Sequence, residues 1–210
     1  MKPFRDAKID FKETSSPTDF DTPLFGHSLI GRNGDPQSKI DAFTRLMVNG
    51  LGDRVDLAFF KFCYVDIVAE TNIDDVFSCY ALRRAELENK FPRVRFLTVT
   101  APLKSDPVGL SATVQRMMGR TIRSEADNIR RNAFNARLRE KYEHSLFDLA
   151  DCEATDPARP SLRPEYTNDG GHLNALGRKI IGRKFLSALI KEIEKIPLPP
   201  IDPNRRGEIV

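Results

Sequence analysis

Cysteine is too scarce in this chain to frame a fold. Its three cysteines, Cys63, Cys79 and Cys152, are far apart and odd in number, with no C-x-x-C spacing. They imply neither a disulfide framework nor a thiolate metal site, and a reducing compartment suits them. Long apolar runs are missing too. No stretch nears the roughly 18 apolar residues of a membrane span. The start MKPFRDAKIDFK carries no apolar leader, so a cytoplasmic location is expected for the chain as it stands, and export if a signal lies upstream. Charge of one sign is also lacking. A formal net charge of +3 over 210 residues gives no independent reason to expect nucleic acid or an anionic membrane as partner.

What is present is the makeup of one globular domain, with 40% hydrophobic and 30% charged residues. The domain is expected over residues 1–195, with a proline-bearing tail at 196–210 that is extended or disordered. Strand and helix signals alternate along it. Lys8–Glu13 alternates polar and apolar residues, as an edge strand does. Asp35–Pro36 predicts a helix start, with Ile40, Phe43 and Met47 on one face and Gly50 ending it. Val55–Phe62 predicts a buried parallel strand, Ile73–Lys90 a second helix, and Val94–Val99 another strand. Residues 104–120 hold Pro, Gly and Ser with little periodicity and predict a long loop or lid-like insertion.

Ile122, Ala126, Ile129, Ala133 and Tyr142 space out a third helix, Leu146–Leu149 a short strand, and Leu173 to Ile193 the last helix. Strands alternating with amphipathic helices predict an α/β domain, a parallel sheet covered on both faces.

The chemistry concentrates in Asp169-Gly-Gly-His172. An aspartate three residues before a histidine can curl back and accept the Nδ1 proton, leaving Nε2 as a general base, while the glycines permit the turn. The alternative is a plain capping turn, with Asp169 as cap and His172 in the first turn of the helix. His144 reads as a surface or packing residue.

The segment PEYTNDGGHLN (164–174), followed by ALGR, resembles the last conserved block of SGNH/GDSL-type hydrolases. IGRNGDPQSKI (30–40), FFKFCYVDI (59–67) and NIRRNAFNARLR (128–139) are similar to blocks of a bacterial subgroup of that superfamily. Four blocks in order, over roughly residues 8–190, are more specific than any one. The resemblance implies a flavodoxin-like three-layer α/β/α fold with strand order 2-1-3-4-5. It implies a serine acyl-enzyme ester hydrolase with His172 as base and Asp169 as orienting acid. It implies no metal and no organic cofactor, and a small-molecule or glycan ester as substrate. Gly31 matches the oxyanion-binding glycine, and Asn33 stands ready with a side-chain amide nearby. The third block usually reads G-x-N-D; here Cys63-Tyr-Val-Asp66 lacks the asparagine. That leaves Asp66 a loop-ordering role and lets Tyr64 face the site, unless both simply pack at a strand end.

The nucleophile is the main departure. Ser28 in Gly26-His-Ser-Leu29 invites comparison with G-D-S-L. Yet only Pro23-Leu24-Phe25 precedes it, too short for a buried strand, and a glycine-bearing loop rather than a helix follows. Ser28 is therefore expected in the loop after strand two, with nucleophile as its alternative role. In a 2-1-3-4-5 sheet the first strand is central, and no segment before Lys8 can supply it. Its loss would cost roughly 1–3 kcal/mol per buried unsatisfied backbone group. An upstream strand with the serine turn is the expectation; the alternatives are that strand two pairs with strand three or that the segment detaches.

The leading expectation is thus an ester hydrolase that is weak or inactive without that block. A non-catalytic SGNH-like module binding a glycan or acyl ligand is second. A third, nucleic-acid binding along Arg120–Lys141, rests on seven basic against three acidic residues. Without aromatic interleaving or a known motif, that stretch is expected to be a solvated helix face.

Overall fold

The computed structural model describes residues 10–107, 109–120, 122–156 and 160–196. The first nine residues and the tail from Pro197 lie outside them, so only part of the Lys8–Glu13 strand and of the 196–210 tail is open to comparison.

Among the described residues the strand ladders are parallel. Strand β1 (Asp10–Glu13) pairs with β2 (Leu24–His27). Strand β3 (Leu57–Ala58) pairs with β4 (Arg95–Phe96), and β5 (Thr98–Val99) pairs with β6 (Leu146–Phe147). Leu97, between β4 and β5, donates its N–H to the Ala58 carbonyl at 2.9 Å. Residues 95–99 therefore form one extended segment with a ladder on each side.

Side-chain alternation along that segment builds the layers. Phe96 and Thr98 point to one face, where Thr98 meets Tyr80 Oη at 3.0 Å and accepts from Arg84 Nη1 at 2.9 Å. Leu97 and Val99 point to the other, packing with Phe147, Ile181 and Leu189. Both faces are buried, the pattern of a parallel sheet covered by helices.

The first two helices arise where the sequence says they should. Helix α1 (Pro36–Val48) starts at Asp35, whose carboxylate accepts the Ser38 N–H, with proline at the first position. Helix α2 (Ile73–Lys90) is capped by Asn72 and buries Ile73, Val76, Tyr80 and Leu87. Helix α3 (Leu110–Met117) follows Gly109, α4 spans Arg123–Tyr142, α5 spans Leu149–Glu153, and α6 spans Ala175–Ile193.

Several expectations are corrected. Residues 104–120 are not one long loop, because α3 lies among them. Its apolar spacing, Leu110, Val114 and Met117, is helical but faces solvent while Ala112 turns inward, so it did not read as a core face. Leu24–His27 is a strand despite its shortness; being only half-buried beside β1, it needs no long apolar run. Asp10–Glu13 pairs with it rather than with Leu57–Ala58. The Val55–Phe62 run joins a ladder only at Leu57–Ala58, and Leu146–Leu149 yields to α5 once Asp148 caps that helix. Ile129, expected inward, is 71% exposed, whereas Arg131 is 1% exposed. Helix α4 is therefore not simply a solvated basic face. Its Arg130 bonds the Ala69 carbonyl, and Arg123, Arg137 and Arg139 pair with Glu70, Asp74 and Asp148.

Candidate active site

The turn before α6 places Asp169 and His172 side by side. Gly170 sits at φ +81°, a left-handed conformation that suits glycine. It brings the chain round so that Asp169 Oδ1 accepts the N–H groups of Gly171 (2.9 Å) and His172 (2.8 Å). Asp169 Oδ2 then meets His172 Nδ1 at 2.6 Å. The Thr167 hydroxyl adds a bond at 3.2 Å to Oδ1. The His172 N–H, its imidazole and the Gly171 N–H hold the Asp169 carboxyl far below the usual carboxylate range. An aspartate so fixed selects the imidazole tautomer with its proton on Nδ1, which presents Nε2 as an acceptor.

The cap of α6 is a separate residue. Asn174 accepts the Gly177 N–H at 3.0 Å, so Asp169 is not needed as the helix cap.

Tyr64 lies beside this pair. Its ring packs edge-on to His172 with centroids 5.4 Å apart, and Lys104 Nζ lies 5.3 Å from its centroid on the ring face. Burial raises the Tyr64 hydroxyl above its ordinary range. Ser105 donates its N–H to the Gly170 carbonyl at 2.9 Å, tying the loop after β5 to the Asp169–His172 turn. Neither contact could be read from the sequence, since these residues are about 40 to 110 positions apart.

Asp66 lies within the protein, 2% exposed. Its carboxylate accepts the Gly34 N–H (2.8 Å), the Cys63 N–H (2.6 Å) and Lys39 Nζ (2.7 Å). Lys39 Nζ also donates to Asn33 Oδ1 at 2.9 Å. These bonds fasten the glycine loop at 31–34 to the loop after β3. Gly31 has φ +57°, and a Cβ there would fall 2.6 Å from the Lys39 backbone nitrogen, so the start of α1 passes where any side chain would stand. The resemblance pointed to Asp66 but not to Lys39, whose basic side chain gave no sign that it would be buried.

Ser28 follows β2 and is half-buried. Among the described residues no hydroxyl is hydrogen-bonded to His172 Nε2. His27 and His144 are exposed, and no group of three or more His, Cys, Asp or Glu side chains is gathered there to hold a metal ion. No helix among them is long and apolar enough to cross a membrane.

No protein-family model matches the chain, and neither does any curated protein sequence. Solved structures do. A GDSL-like lipase from Bacteroides thetaiotaomicron VPI-5482 superposes with TM-score 0.58 at 18% identity, over 83% of this chain and 80% of that one. A protein from Bacteroides fragilis NCTC 9343 assigned as an acylhydrolase gives TM-score 0.58 at 18% identity, over 92% and 91%. A peptidoglycan O-acetylesterase gives 0.54 at 12% identity, over 81% of this chain and 47% of that one. At such identities the likeness is one of fold: short parallel strands between helices, arranged as in GDSL-type hydrolases.

Proposed function

We propose that this chain, which has the fold of the GDSL-type hydrolases, is an ester hydrolase, weak as it stands, in which His172 is the general base and Asp169 its orienting acid. One observation carries the reading: the 2.6 Å contact between His172 Nδ1 and Asp169 Oδ2 on an imidazole whose side chain stays 71% exposed. A histidine held only for packing would be covered. Here the aspartate fixes the ring while the rest of the side chain meets solvent, as a base awaiting substrate requires.

The chemistry follows from that pairing. Nε2 takes the proton of a serine hydroxyl as the hydroxyl attacks the ester carbonyl, and Asp169 stabilises the imidazolium that forms. The proton then passes to the leaving alcohol, and water repeats the sequence on the acyl-enzyme. The Gly31 N–H is suited to the developing oxyanion. Asn33 serves beside it, because Lys39 engages its Oδ1 and leaves Nδ2 as the donor end. Tyr64 walls the site, and Asp66 orders the loop that carries Gly31 and Asn33. The substrate class is a small-molecule or glycan ester, its shape set by residues 104–120.

The test is hydrolysis of p-nitrophenyl acetate by the full chain beside His172→Ala and Ser28→Ala. Turnover lost in His172→Ala supports the base; turnover that survives it sinks the reading. Ser28, placed in the loop after β2, is expected to be dispensable, and loss of turnover in Ser28→Ala would make it the nucleophile.

A second reading, a non-catalytic module binding a glycan or acyl ligand, is favoured by the lack of a hydroxyl on Nε2 among the described residues. It predicts no turnover, together with saturable binding of an acetylated glycan.

A further inference from the structure

Helix α4 turns a polar face to the interior. Asn135 donates from Nδ2 to the Ala101 carbonyl (2.9 Å) and accepts the Ala101 N–H (2.8 Å). Two turns earlier, Asn128 does the same with Lys104, donating at 2.7 Å and accepting at 3.0 Å. The spacing explains the match. Seven helical residues rise about 10.5 Å, and three extended residues span about 10 Å. Two asparagines at that interval can thus pair with the loop after β5 as a neighbouring strand would, giving its buried backbone groups partners.

The two anchors differ in what lies beyond them. Leu103, between them, is held independently by Glu153, which accepts its N–H at 2.8 Å. Ala101 leads back into the sheet. Lys104 leads to Ser105, whose N–H bonds the Gly170 carbonyl. Asn128 Oδ1 also accepts from Arg131 Nη1 at 2.7 Å, and Arg131 Nε donates to the Tyr64 carbonyl at 2.8 Å. Asn128 is therefore the point where two paths meet, one reaching the turn of Asp169 and His172, the other the ring that flanks it.

We propose that Asn128 is a positioning residue for the Asp169–His172 pair, holding Gly170 through Lys104–Ser105 and Tyr64 through Arg131. Its place in catalysis rests on the hydrolase reading above; its effect on the histidine does not. Asn135, with the same chemistry and the same helix face, holds the fold without reaching the site.

The experiment is imidazole 15N NMR of the full chain, which has three histidines to assign, at a pH where they are neutral. The parent is expected to show His172 mainly with its proton on Nδ1. Asn128→Ala should shift it towards the Nε2-protonated form, while Asn135→Ala, with a comparable fall in Tm, should leave it unchanged. Ser105→Pro, which removes both the N–H and the hydroxyl that bond the Gly170 carbonyl, should behave as Asn128→Ala and decides the matter if that variant does not fold. An unchanged tautomer in both Asn128→Ala and Ser105→Pro, or an equal shift in Asn135→Ala, overturns the proposal. Where turnover is measured, kcat should fall about tenfold in Asn128→Ala with KM held. A chain with no turnover but the expected tautomer pattern would sink the hydrolase reading and leave the positioning role standing.

Discussion

Gly171 lies against Tyr64 so closely that a Cβ on it would fall 2.8 Å from the ring. The ring cannot yield freely, because Lys104 covers one face and Arg131 holds the residue's carbonyl. In Gly171→Ala either Tyr64 or the Asp169–His172 turn must shift. A displacement on that scale is expected to cost up to about 100-fold in kcat, with little change in Tm since the site is at the surface. Full activity in the variant would show that Tyr64 is not a fixed wall.

Asp169→Asn should leave the fold intact and lower ester hydrolysis by roughly 10⁴-fold, because an amide favours the wrong imidazole tautomer. The pH profile follows from the depressed carboxyl. A group whose folded pKa is lowered keeps its contribution above the unfolded pKa and loses it only as pH falls through the folded value. Asp169 therefore stays ionised throughout the range in which histidines protonate. The acid limb of kcat/KM above pH 4 should carry no proton of the Asp169 carboxyl. A two-proton limb between pH 4 and 7 would contradict this.

The Lys39–Asp66 pair has side chains 7% and 0% exposed. Asp66→Ala leaves the ammonium uncompensated and removes the acceptor for two loop N–H groups, so a loss of about 3–5 kcal/mol is expected in urea unfolding. Lys39→Met combined with Asp66→Ala should be less damaging than Asp66→Ala alone. If the double variant is the worse, the cost lies in the loop bonds rather than the stranded charge.

Glu153 is 2% exposed, and burial pushes its carboxyl up to about 7 although the Leu103 N–H pulls the other way. Between roughly pH 4.5 and 7 the folded protein holds more protons than the unfolded chain, so stability falls as pH rises through that window. Glu153→Gln keeps an acceptor for Leu103. It should be about 1–3 kcal/mol more stable than the parent at pH 8 and nearly equal to it at pH 4. Equal stabilities at both pH values would show that Glu153 is ionised without cost.

The parts of the site that could be read in the sequence are those that local spacing dictates. Asp169 and His172 are three residues apart, and the turn that joins them uses only its own backbone. Asp35–Pro36 announces α1 in the same local way. The α4 interior could not be read so. Asn128, Arg131 and Asn135 are buried because they complete the backbone of segments 24, 67 and 34 positions away, and composition gives no sign of such partners. Helix α3 escaped for the opposite reason: its apolar residues face water, so no core pattern marked it. The resemblance to GDSL-type hydrolases supplied the α/β fold and pointed to Tyr64, while the contacts of Tyr64 with His172 and Lys104 are long-range and had no local mark.

The extended segment at 95–99 passes from one neighbour to the other at Leu97, with Leu57–Ala58 before it and Leu146–Phe147 after it. Neither ladder can part without disturbing a stretch of chain that belongs also to the other. Opening on the two sides should therefore be cooperative, and amide protons from Arg95 to Thr100 should exchange together and among the slowest in the molecule.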